Sequence, residues 1–193
     1  MRKIFSFITA TLDGYYEGPG GEFDWPIADE EFSEFSLDQL DEVDTLLFGR
    51  VTYQGMAEYW PTPAAQKDDP EIAPRMNRIS KIVISRTLDQ AGWTNTRLIK
   101  DNVRDELTKL KQLPGGDIAI FGSSSLTVSL LQWGLIDELR IMVNPVALGD
   151  GKSVFRTAAE RIHLKLLKAR PFKSGNVLLS YRPDPFDDGY ELA

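Results

Sequence analysis

Apolar and polar positions change period several times along the chain, and each change marks an element. Residues 3–12 are nearly continuously apolar and rich in Ile, Phe and Thr, the pattern of a central strand covered on both faces. Asp13-Gly14 ends that run, and a long loop carrying Gly18, Pro19, Gly20 and Gly21 leads to Asp24-Trp25-Pro26. From Asp29 or Ala28 the period lengthens to that of a helix, with Phe32, Phe35, Leu40 and Val43 on one face and Asp29, Glu30 and Glu31 in the first turn. A short strand over 44–48 stops at Gly49, and a helix runs from Arg50 to near Trp60. The proline-rich, polar stretch 61–70 reads as a surface excursion, followed by a short helix over 71–79 and strands over 81–85 and 94–99. Asp101 is placed to cap a helix on which Val103, Leu107, Leu110 and Leu113 recur at helical spacing until Pro114-Gly115-Gly116.

The stretch 117–131, DIAIFGSSSLTVSLL, carries the densest signal. Ile118 to Phe121 form a buried strand, Gly122 allows a sharp turn, and Ser123, Ser124 and Ser125 are all suited to cap the helix that follows. A strand, a glycine and a helix start together aim backbone N–H groups and a positive dipole end at one spot, which is where anions bind. Residues 138–146 then alternate with a period of two, 148–155 form a glycine-containing turn, and 163–169 and 176–182 read as an antiparallel hairpin. The pattern predicts an α/β chain with three layers: a mixed, mostly parallel central sheet flanked by helices, extended by antiparallel C-terminal strands. One domain is expected over 1–183, with an acidic, frayed tail over 184–193.

Composition narrows the function. A chain of 193 residues with 42% hydrophobic residues is long enough for one substantial core. A net charge of −7 argues against a nucleic-acid binder, which needs a basic face, but leaves room for a basic pocket that takes a small anion. No cysteine is present, so thiolate metal sites and cysteine nucleophiles are excluded, and the single His163 offers no metal pair. No metal site and no membrane span are expected, and a reducing cytoplasm is the natural compartment.

Three strand ends carry chemistry: FGRVTY at 48–53, ISRTL at 84–88 and IFGSSSL at 120–126. Ligands of open α/β sheets bind outside the carboxyl ends of strands. Arg50 at a helix start is repelled by the helix dipole unless an anion lies between, and Arg86 after a strand suits another phosphate. Two other motifs fail. LGDGKS has Val146 where a phosphate loop needs glycine, and GSSSL has Leu126 where a nucleophile elbow needs one.

FGRVTYQ, VISRTL and IFGSSSL resemble, in order, the helix start, the Ser/Thr-Arg strand end and the glycine-rich pyrophosphate turn of dihydrofolate reductases. ITATLDGYYEG and PVALGDGKSVF are more similar to the C-terminal reductase domain of the bifunctional riboflavin-pathway deaminase-reductase and its stand-alone relatives, over roughly residues 2–182. The resemblance implies a dihydrofolate reductase-like fold, NADPH as cofactor and a homodimer. It implies that Gly49, Arg50 and Thr52 touch cofactor phosphates. Ser85, Arg86 and Thr87 would hold the adenine-ribose phosphate, Gly122, Ser123, Ser124 and Ser125 the pyrophosphate, and Ala10 would lie beside the nicotinamide. Asp29 or Glu30 is the implied catalytic carboxylate, and Asp13, Trp25, Gly149 and Gly151 the substrate side. The expected activity is NADPH-dependent reduction of a small heterocycle of pteridine or pyrimidine type. The alternative is a nicotinamide-nucleotide-binding module that reduces nothing, and NADH remains open as the cofactor.

Overall fold

The computed structural model describes residues 1–184; the acidic tail expected beyond Asp184 lies outside the described residues. Eight strands make one sheet. From edge to edge they are Thr96–Ile99 (β5), Ser80–Ile84 (β4), Val43–Gly49 (β3), Asp117–Phe121 (β6), Ile4–Thr11 (β1), Glu138–Asn144 (β7), Val177–Pro183 (β10) and Leu164–Pro171 (β9). All pairings from β5 to β7 are parallel, and β10 runs antiparallel to both β7 and β9. The C-terminal strands are thus antiparallel to one another, while β7 also extends the parallel array through β1. Tyr15–Glu17 (β2) and Lys152–Ser153 (β8) form a separate ribbon that periodicity does not reveal, because each is too short to show a pattern.

Six helices complete the described chain: Glu30–Glu42 (α1), Arg50–Tyr59 (α2), Pro63–Asp68 (α3), Ile72–Arg78 (α4), Val103–Gln112 (α5) and Ser124–Gln132 (α6). Successive strand residues point to opposite faces, and the core divides accordingly. On one face Ile4, Leu47, Ile82, Ile118 and Ile120 pack with Leu107 of α5 and Leu130 and Leu131 of α6. On the other, Phe5, Leu46, Phe48, Val83 and Ala119 pack with Leu40 of α1, Tyr53 of α2 and Met76 of α4. Near-continuous apolar strands are what this double coverage demands, and the three-layer arrangement is the one expected.

Two local expectations are corrected. The excursion 61–70 contains α3, started by Pro63 at a first-turn position and capped by Thr62, whose hydroxyl accepts the Ala65 N–H at 3.1 Å. Helix α5 is entered through Asn102 in the left-handed region (φ 52°), not capped by Asp101, and Leu113 lies past its end, exposed. A left-handed Asn at the boundary satisfies the turn sterically without a side-chain cap.

Lys81, in β4, is 1% exposed. Its Nζ donates to the carbonyls of Met76 (2.8 Å), Asn77 (3.0 Å) and Ile79 (2.7 Å), closing the C-terminal end of α4, and it sits 4.4 Å from the Trp93 ring centre. Burial lowers its ammonium from the ordinary 10.5 to about 8. Between those values the unfolded chain holds a proton that the folded chain does not. This contribution to stability is therefore complete above the unfolded value and is lost as the pH falls through the folded one. Urea unfolding of the wild type against Lys81→Met, at pH 7.5 and pH 10, will show the wild type gaining on the variant at the higher pH by on the order of 2–3 kcal/mol.

Candidate functional site

Because β3 and β6 are neighbours, their carboxyl ends bring Gly49 and Gly122 side by side. The Gly49 N–H donates to the Ser123 hydroxyl at 3.0 Å, and the Ser123 N–H donates to the Thr52 hydroxyl at 3.2 Å. These two bonds lock the starts of α2 and α6 together. Gly122 (φ +67°) and Ser123 (φ 48°) are both left-handed, and a Cβ on Gly122 would lie 3.3 Å from the Thr52 methyl. The Gly122 N–H donates to the Phe7 carbonyl at 3.0 Å, tying the turn to β1 as well. The Ser124 hydroxyl, buried, donates to the Val154 carbonyl at 2.6 Å, and Ser125 is exposed.

The expected serine cap is not made. The Ser123 and Ser124 hydroxyls are committed to neighbouring loops, and neither α2 nor α6 has a side-chain cap. Two helix starts with first-turn N–H groups lacking side-chain acceptors therefore stand together, which is the electrostatics of an anion cradle.

Arg50 begins α2 and is exposed, with its Nη1 donating to Gln54 Oε1 at 2.9 Å. Beside β3, the turn after β4 is built by the Ser85 hydroxyl, which accepts the N–H groups of Thr87 (3.2 Å) and Leu88 (3.0 Å) and leaves Arg86 and Thr87 exposed. Arg86 borders a hollow of about 260 Å³ with Asn102, Val103, Arg104, Asp105 and Trp133. Arg104 is new to the site; in the sequence it reads only as a solvated helix residue. Among the described residues Arg50, Arg86 and Arg104 make no ion pair.

Beside the start of α6 lies a cavity of about 460 Å³. Ile8 and Thr9 of β1, Phe121, Gly122 and Ser124 line it, with Phe32, Ser33 and Ser36 of α1, Met56, Tyr59 and Trp60 from α2 and its end, and Tyr16, Phe23, Asp69, Ile72 and Met76. Ala10 does not line it: the residue is buried, and its carbonyl accepts from Asn144 Nδ2 at 3.4 Å.

The carboxylates at the start of α1 have other employment. Asp29 is the helix cap, accepting the Phe32 N–H at 2.9 Å. Glu30 is exposed, and neither residue lines the cavity. Glu31 accepts from the Lys173 N–H and from Arg170, both at 3.0 Å, and these bonds hold its carboxyl below the usual range. Asp29 and Glu30, the carboxylates that the resemblance implies as catalytic, therefore stand outside the cavity lining, where an acidic residue in a first helical turn satisfies the helix itself. Among the described residues the carboxylate that lines the cavity is Asp69, which accepts from the Tyr59 hydroxyl at 3.4 Å. Burial, then the carboxylates of Asp69 and Asp68, push the Tyr59 phenol up, so it stays neutral near pH 7.

The expected substrate-side residues shape loops. Asp13 accepts from the Thr11 hydroxyl (2.6 Å) and the N–H groups of Gly149 (2.8 Å) and Leu148 (3.3 Å), bonds that hold its carboxyl below the ordinary value. Gly151 leaves no room for a side chain, since a Cβ there would fall 2.4 Å from the Glu17 carbonyl. Trp25 packs edge-on against Phe23 at 5.4 Å, and it is Phe23 that reaches the cavity. Two buried asparagines that periodicity did not single out fix this loop: Asn144 Oδ1 accepts the Ile27 N–H (2.9 Å), and Asn176 Nδ2 donates to the Ile27 carbonyl (3.0 Å).

This arrangement has relatives. The family model for the RibD C-terminal domain matches residues 2–178, and the chain belongs to that family. Protein YyaP of Bacillus subtilis (strain 168), itself uncharacterized, is 36% identical over 183 residues, covering 94% of this chain and 95% of that one. Two solved structures share the fold. One is the diaminohydroxyphosphoribosylaminopyrimidine deaminase/5-amino-6-(5-phosphoribosylamino)uracil reductase of Thermotoga maritima, with a TM-score of 0.69 and 14% identity over 95% of this chain and 57% of that one. The other is dihydrofolate reductase of Enterococcus faecalis complexed with NADP(H), with a TM-score of 0.64 and 16% identity over 95% of this chain and 97% of that one. The fold is dihydrofolate reductase-like and the family reductase-like, as the motifs implied.

Ser123→Ala leaves the Gly49 N–H without its acceptor and loosens the two helix starts. Urea titration will show a loss of about 1 kcal/mol, the usual worth of one such bond.

Proposed function

We propose that this chain is an NADPH-dependent reductase that delivers a hydride to a small, flat heterocycle of pteridine or pyrimidine type. The observation that carries the reading is the pair of uncapped helix starts, locked by Gly49, Ser123 and Thr52, with Gly122 and Ser124 at the second of them also lining an apolar cavity. The residues fit a dinucleotide. Backbone N–H groups at Arg50 to Thr52 and at Ser124 to Leu126 would meet its pyrophosphate, with Arg50 adding charge. Ser85, Arg86, Thr87 and Arg104 would meet a phosphate on the adenine ribose. When bound, NADPH supplies the hydride. Thr9, Ile8 and Gly122 would shape the end of the cavity nearest the helix starts, and the aromatic side chains of the remaining walls hold a flat ring and exclude water.

Family membership and the NADP(H)-bound neighbour support this reading. Among the described residues no group of acidic or histidine side chains is arranged to hold a metal, and no helix is long and apolar enough to cross a membrane. A small-molecule substrate and a cytoplasmic setting belong to the same proposal.

Calorimetric titration tests it. NADPH will bind more tightly than NADH, and Arg50→Ala, Arg86→Ala and Arg104→Ala will each weaken NADPH by about 1–3 kcal/mol, as for lost charge-assisted bonds. The Arg86 and Arg104 variants will also narrow the gap to NADH. A wild type that binds neither nucleotide overturns the reductase reading. Binding without oxidation across pterins, pyrimidines and quinones selects the non-catalytic module.

The proposal extends to a homodimer formed through β9. Among the described residues this strand ends the sheet with no strand paired to its outer edge, and Leu166 and Leu167 are each about half exposed. Sedimentation equilibrium will give a dimer for the wild type and a monomer for Leu166→Pro, which interrupts the edge. A wild-type monomer refutes the pairing.

A further inference from the structure

The charges around the site are distributed unevenly. Arg50, Arg86 and Arg104 gather at the strand ends, outside the cavity, and none of them lines it. Among the described residues, the lining contains no lysine, no arginine and one carboxylate, Asp69. That carboxylate does not hang from a free loop. The Asp69 N–H donates to the Ala65 carbonyl and the Asp69 carbonyl accepts the Ala73 N–H, both at 2.9 Å, so its backbone is fixed between α3 and α4. Its side chain stands at the solvent-exposed rim, where the Tyr59 hydroxyl donates to Oδ2 over 3.4 Å.

A phosphate brought into this cavity would lose hydration among Trp60, Met56, Met76, Phe32 and Phe121, find no cation, and face a fixed negative charge. An uncharged ring loses little on entry and gains aromatic contact, and a cationic one gains the attraction of Asp69 as well. Taking the cavity as the substrate site, as the reductase reading does, we propose that it admits flat, uncharged or cationic heterocycles and rejects phosphorylated ones, with Asp69 setting that preference. This separates the chain from the Thermotoga maritima neighbour, whose name specifies a phosphoribosyl substrate. An unpaired charge placed against the wrong ligand is an effective way to discriminate between compounds that share a ring.

The test uses compounds that differ by one phosphate: 5-amino-6-ribosylaminouracil against its 5′-phosphate, and riboflavin against its 5′-phosphate. Each is titrated into the full chain saturated with NADP⁺, so that the arginines at the strand ends are occupied. Trp60 fluorescence is the readout, with Trp60→Phe identifying its share of the signal. For at least one pair the unphosphorylated member will quench, and the phosphorylated member will require at least about tenfold more. Asp69→Asn will narrow that gap severalfold by tightening the phosphorylated member more than its partner. The proposal is overturned if a phosphorylated member binds as tightly as its partner, if the gap survives Asp69→Asn, or if no member of either pair reaches Trp60. Failure of NADP⁺ to bind overturns the reductase reading instead, and the same pairs titrated into the triple variant Arg50→Ala, Arg86→Ala, Arg104→Ala, which removes the competing cations, then decide the charge preference.

Discussion

Parallel pairing of β3, β6 and β1, each covered on both faces, is the constraint from which the site follows. Leu46, Leu47 and Phe48 of β3 and Ile118, Ala119 and Ile120 of β6 are essentially inaccessible to solvent, so the register of these strands cannot slip without driving apolar side chains into the wrong layer. With that register held, the strands end together, and Gly49 and Gly122 have no freedom to part. The reciprocal bonds among Gly49, Ser123 and Thr52 then act on elements already side by side, and they cost little further ordering entropy.

Buried polar groups do structural work around this centre. Ser6 and Thr127 share a hydroxyl bond at 2.7 Å between β1 and α6, Lys81 closes α4, and Asn144 and Asn176 hold the Ile27 peptide. Each satisfies groups that would be costly to leave unpaired. The consequence for function is a separation of roles. Arg50, Arg86 and Arg104 stay near the strand ends and open to solvent, while among the described residues the cavity is mostly apolar and carries one carboxylate. A dinucleotide with a charged tail and a flat head suits that gradient.

The alternation of strand and helix, the double coverage of the sheet and the three strand ends were legible in the residues, because a period of two or of 3.6 and a glycine at an element boundary are local facts. Which carboxylate lines the cavity was not. The resemblance to dihydrofolate reductases implies an acid shortly after the Trp25 segment, where Asp29 and Glu30 stand, yet an acid in that place is also what a helix needs for its cap. Nothing in residues 29–31 distinguishes the two uses. Asp69 had no local signal at all, since it lies in a polar, proline-rich segment with no period.

By itself, then, the sequence determined the layers, the direction of the central strands and which strand ends carry the arginine, serine and glycine motifs, since these depend on near neighbours in the chain and on hydrophobic burial. Tertiary structure alone decided which hydroxyls were spent on locking loops, that Arg104 lies across a hollow from Arg86, and that Asp69 faces the cavity while Asp29 and Glu30 do not. Those outcomes rest on contacts between segments remote in the chain, and no pattern along the backbone encodes which remote group a side chain will meet.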